Sequence, residues 1–95
     1  MGDRYFCFEN ECVGRRGCGG TVYYIVDVSA GIVKDTIQGE EQPREICVNK
    51  AKYAVVRVVA GRRGRSKKIL HMPEGASERL VYSIMAREEG VIYYD

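Results

Sequence analysis

Four cysteines and one histidine are the most reactive side chains in this chain, and their spacing decides what they can do. Cys7, Cys12 and Cys18 follow a C-x4-C-x5-C pattern, Cys47 lies far downstream, and the histidine is His71. Zinc is usually held by thiolates on two short C-x2-4-C knuckles. Cys7 and Cys12 sit at the edge of that range, and no second knuckle follows. Cys18-Gly19-Gly20 permits a tight ligand turn, with Cys47 or His71 as a fourth ligand. Three states therefore fit the spacing: a structural zinc on Cys7, Cys12, Cys18 and Cys47, a disulfide drawn from Cys7, Cys12 and Cys18, or reduced buried thiols. Zinc with four protein ligands has no open position for catalysis, so either staple would serve to hold the N-terminal segment.

Acid–base chemistry has thinner support. His71 stands alone on an expected strand, where a histidine is more often structural than a general base. Asp27 and Asp35 bracket an expected hairpin and, with Lys34 and Lys50, make the minimal outline of a metal-dependent nuclease. Acidic residues at hairpin ends are common, which ranks this reading below a binding role. The chain has no P-loop, no G-x-G-x-x-G, no H-E-x-x-H and no nucleophile elbow. A non-catalytic protein without a cofactor is the expectation, with structural zinc as the exception.

The charge distribution says more. The 95 residues carry a formal net charge of +2, which conceals a strong asymmetry. From Ile46 to Pro73 there are eight basic residues (Lys50, Lys52, Arg57, Arg62, Arg63, Arg65, Lys67 and Lys68) and no Asp or Glu. The rest of the chain holds seven basic and thirteen acidic residues, so the two parts stand at +8 and −6. A segment this unbalanced makes a local field that attracts a polyanion. Two Gly-Arg-Arg-Gly tetrapeptides, one with Arg15 and Arg16 and one with Arg62 and Arg63, add forked guanidinium groups between glycines, where backbone and side chain can both approach a phosphate. The alternative is that both are solvated turns.

These groups need elements to place them. The expected pattern begins with a short strand over Arg4–Phe8 and a hairpin of Thr21–Val28 with Ile32–Ile37. From Pro43 the apolar residues fall at 47, 48, 51, 54, 55, 58 and 59, which predicts an amphipathic helix over 43–60, with Gly61 as its stop. A strand over Tyr53–Ala60 competes, because Val55, Val56, Val58 and Val59 are β-formers. Lys67–Met72 reads as a strand, Glu74–Glu89 as a helix with Ala76, Leu80, Val81, Ile84 and Met85 on one face, and Val91–Tyr94 as a last strand. The fold expected is one small α+β domain spanning 1–95. It has a mixed sheet of four to five strands and two helices in the order β-β-β-α-β-α-β, with a Cys/Gly-rich segment, 1–20, packed on it. On the first helix, Lys50, Tyr53 and Arg57 would form a basic ridge running into Arg62 and Arg63, with Tyr53 as a stacking platform.

Composition bounds the setting. With 45% hydrophobic and 29% charged residues the chain is neither disordered nor fibrous. No apolar run approaches the ~18 residues of a membrane span, and the N-terminus lacks a secretory pattern, so a cytoplasmic protein is expected. Asparagine occurs only at 10 and 49 and glutamine only at 38 and 42, a bias against thermolabile amides that suggests a thermophilic source. The leading expectation is nucleic-acid binding of undetermined type, with little sequence specificity, through Lys50, Lys52, Tyr53, Arg57, Arg62, Arg63, Arg65, Lys67 and Lys68, aided by Arg15 and Arg16. A second is a homodimer or assembly protein in which the +8 and −6 parts dock and the Tyr93-Tyr94 strand pairs across a two-fold axis.

Overall fold

The computed structural model describes residues 4–9, 21–38, 45–61 and 64–89. Within them lie six strands and one helix: β1 (Tyr5–Glu9), β2 (Thr21–Asp27), β3 (Ile32–Gln38), β4 (Glu45–Asn49), β5 (Tyr53–Gly61), β6 (Gly64–His71) and α1 (Glu78–Glu89). Four strands form one sheet in the order β3-β2-β5-β6, while β1 and β4 form a separate two-stranded ribbon. Every pairing is antiparallel. The fold is thus mostly β, and the expectation of a mixed sheet with two helices is overturned.

The error falls on residues 43–60. The expected helix is instead β4, a turn over Lys50–Lys52, and most of β5. Asn49 builds the turn: its Oδ1 accepts from Ala51 N at 3.0 Å and its carbonyl from Lys52 N at 3.1 Å. The turn shifts the phase between two strands, so their apolar residues imitate a helical stripe. β5 is central and covered on both faces, which removes the in-out alternation that marks a half-exposed strand. Ala54, Val55 and Val56 are consecutive and fully buried. The β-branched run outweighs the helical spacing.

Alternation assigns the two faces of the sheet. Tyr24, Val26, Ala54, Val56 and Val58 pack with Val81, Ile84 and Met85 of α1. On the opposite face Tyr23, Ile25, Ile37 and Val55 pack with Phe8, and with Phe6, Ile46 and Val48 at its margin. The ribbon therefore turns Phe6, Phe8, Ile46 and Val48 inward and Tyr5, Cys7, Glu9, Glu45 and Cys47 outward. The described residues form three layers: helix, sheet, ribbon.

The helix starts four residues later than the sequence implies. Pro73, Gly75 (φ 86°) and Ala76 make a turn closed by Ala76 N donating to the Pro73 carbonyl at 3.2 Å. Ser77 then caps the helix, its Oγ accepting from Leu80 N at 3.2 Å. Leu80, expected on the buried face, is exposed. Near the other end Arg87 donates to the Gly31 carbonyl at 3.1 Å, tying the last helical turn to the β2–β3 turn.

Both outer strands carry one extra residue. Lys34 lies between the pairs Val33↔Val26 and Asp35↔Ile25, and Leu70 between Ile69↔Val56 and His71↔Val55. Since Ile25 pairs with Val55, the two bulges fall on either side of this pair, one step apart along the sheet. The expected strand Val91–Tyr94 lies outside the described residues. Among the described residues no helix is long and apolar enough to cross a membrane.

Candidate nucleic-acid interface

The acid-free segment does not form one ridge. It splits between the two ends of β5, about 26 Å apart for eight strand steps. At the first end Lys50 and Lys52 sit in the β4–β5 turn. At the other end are the last residues of β5 and the first of β6, whose register closes at Gly61↔Gly64. Gly64 has φ 117°, a conformation side chains rarely adopt, so the turn itself requires this glycine. Arg62 and Arg63 lie between the two glycines in sequence and outside the described residues, as do Arg15, Arg16, Cys12 and Cys18.

The described part of the β5–β6 hairpin carries four basic residues, two on each face. Arg57 is directly opposite Lys68, Val58 opposite Lys67, and Ala60 opposite Arg65. Lys67 places its Nζ 4.1 Å from the centre of the Tyr82 ring on α1, which fixes its side chain on the helix-covered face. Arg65, two residues earlier, shares that face, and Arg57 and Lys68 share the other. Arg65 and Lys68 are exposed, Arg57 and Lys67 half-buried. Like charges directly opposite each other oppose strand pairing by a few tenths of a kcal/mol or more, and an anion seated between them reverses that sign.

β2 accompanies β5 only as far as Thr21↔Val59. Among the described residues, Ala60 and Gly61 pair only with Arg65 and Gly64. β6 has no neighbour on its outer side among the described residues, so alternate backbone N–H groups face outward beside Arg65, Lys67 and Lys68.

Tyr53 begins β5 at the end away from this hairpin, on a strand and not on the expected helix, and is half-buried against the cluster of Tyr23, Ile25, Ile37 and Val55. The turn at that end of β5 forms a hollow of about 700 Å³ that includes Arg4, Lys50, Lys52, His71 and Glu74. Arg4 escaped the sequence reading because it lies outside residues 46–73. Its carbonyl accepts from Lys50 N at 3.1 Å, a contact that only the β1–β4 pairing reveals. His71 is a strut there: its Nε2–H donates to the Lys50 carbonyl at 2.8 Å, and its ring stacks on Phe6 at 4.9 Å between centroids.

Of the acidic residues considered for metal chemistry, Asp27 ends β2 at the β2–β3 turn and Asp35 lies within β3. Asp27 Oδ1 accepts from Ala30 N at 3.0 Å and Asp35 Oδ1 from Thr36 N at 2.8 Å. A disulfide that includes Cys7 is present as expected, with a different partner. Cys7 is bonded to Cys47 across the β1–β4 register, not to a neighbour in the N-terminal cluster.

No protein family, characterised protein or solved structure matches this chain.

Proposed function

We propose that the chain binds nucleic acid through the β5–β6 hairpin, contacting phosphates with little regard to base sequence. The observation that carries this reading is the hairpin itself: Arg65 and Lys68 exposed on its two faces, Arg62-Arg63 between its strands in sequence, and no carboxylate from Ile46 to Pro73. A two-stranded ribbon has the width that a DNA major groove, about 12 Å across, admits. The outward N–H groups of β6 add backbone donors of the kind that hold phosphates and carry no sequence information. The described paired residues of the hairpin include no Phe, Tyr or Trp on which a base could stack, which favours duplex over single strands. Lys50, Lys52 and Arg4, at the far end of β5, make a second basic surface for a longer duplex. On the competing reading, the lysines of an edge strand serve only to prevent pairing with another chain.

Fluorescence anisotropy against labelled single- and double-stranded DNA and RNA, across a salt series, tests it. Duplex binding that weakens steeply with salt is expected, and Arg62→Ala/Arg63→Ala/Arg65→Ala/Lys68→Ala should lower affinity at least tenfold. The salt slope should fall by about 0.9 for each duplex phosphate contact removed. Unchanged affinity of this variant at low salt would refute the assignment and leave the basic residues as protection of the β6 edge.

A further inference from the structure

Cys7 and Cys47 face each other on the outer side of the ribbon, and both are exposed. Glu45 is two residues before Cys47 on the same strand face, with its Oε1 3.4 Å from Cys47 Sγ. One ligand atom from each of the three residues falls within 4.8 Å of the others. A tetrahedral zinc ion holds thiolate sulfur at about 2.3 Å, which places its ligand atoms roughly 3.5–3.8 Å from one another. The three side chains are spaced for such an ion once the sulfurs are no longer bonded.

We infer that this cluster is a redox-gated site for a thiophilic divalent cation of the zinc type. In the oxidised protein the sulfurs are bonded to each other and have no thiolate to offer. A dithiol reductant, reaching the exposed sulfurs, transfers two electrons and two protons: the Cys7–Cys47 bond breaks to two thiols and the reductant closes to its own disulfide. Cation binding then displaces both thiol protons, and the Glu45 carboxylate supplies the third ligand. Three protein ligands leave one coordination position for water. The inner face of the ribbon, with Phe6, Phe8, Ile46 and Val48 against the sheet, keeps β1 and β4 in register through the exchange.

The site draws on none of the basic residues assigned to nucleic acid, so the two proposals stand or fall separately. The probe is Co²⁺, followed by its sulfur-to-metal charge-transfer absorption and displaced by Zn²⁺. It is added to the full chain reduced by a phosphine that is then removed, and to the oxidised chain. Stoichiometric binding to the reduced protein only is expected, abolished by Cys47→Ser, weakened at least tenfold by Glu45→Gln, and retained in Cys12→Ser/Cys18→Ser. Zn²⁺ should also restore the melting temperature that reduction lowers, and Glu45→Gln, which leaves the disulfide intact, should melt like the parent when oxidised. Equal binding by oxidised and reduced protein, indifference to Glu45→Gln, or loss of binding in Cys12→Ser/Cys18→Ser would each overturn the three-residue site.

Discussion

The two coverings of the central sheet solve the same problem by different means. On one face α1 buries Val81, Ile84 and Met85 from a single continuous segment whose backbone bonds are internal. On the other face the ribbon buries Phe8 with Phe6, Ile46 and Val48, drawn from strands far apart in sequence. A two-stranded ribbon is marginal by itself, and bringing β1 to β4 carries a loop-closure cost that a helix avoids. The disulfide is placed where that cost arises: Cys7 and Cys47 are separated by 40 positions, directly opposite each other in the ribbon. One covering is held by local bonding, the other by a covalent staple.

The largest expected effect lies on the helix side. Ile84→Ala should lower unfolding free energy by about 2–5 kcal/mol, measured by urea denaturation, in oxidising and reducing buffer alike. Cys47→Ser should cost about 2–4 kcal/mol in oxidising buffer with chelator present, and nothing relative to the parent once both are reduced. A deficit that persisted under reduction would mean that Cys47 acts through packing and not through its bond. Ser77→Ala, which removes the cap on α1, should cost about 1 kcal/mol regardless of redox state. Smallest is Tyr82→Leu: losing the ring beneath Lys67 should cost about 0.5–1 kcal/mol, detectable as a shift in denaturation midpoint.

The helix layer was the more legible of the two from sequence. Glu74–Glu89 has one apolar stripe, an early acidic residue and a cap, and local rules act on all three; only its start and the exposure of Leu80 were misplaced. The β2–β3 hairpin was equally plain, since β-branched residues flank a turn at Ser29-Ala30-Gly31. Residues 43–60 were not. The Asn49 turn offsets two strands so that their combined pattern has a helical period, and the burial of Val55 and Val56 on opposite faces depends on layers that no local window contains. The site suffered by consequence. Arg57, Arg65, Lys67 and Lys68 were recognisable as basic residues, but their grouping needs the β5–β6 register. Glu45 beside Cys47 becomes visible only when β4 is a strand, because its i, i+2 spacing puts the two on one face.

A slightly slanted line through Lys34, the Ile25↔Val55 pair and Leu70 crosses the four-stranded sheet from margin to margin. An extra residue in a strand bends it and tightens its local twist. With one at each margin, on either side of the Ile25↔Val55 pair, the sheet is creased into two short panels, one toward Asp27 and Tyr53 and one toward the Gly61↔Gly64 closure. A second chain aligned along β6 would stay in register with the panel from Gly64 to Ile69 and lose step at Leu70. Stacking chain on chain into an unbroken cross-β fibril requires flat margins, and the crease denies them on both sides.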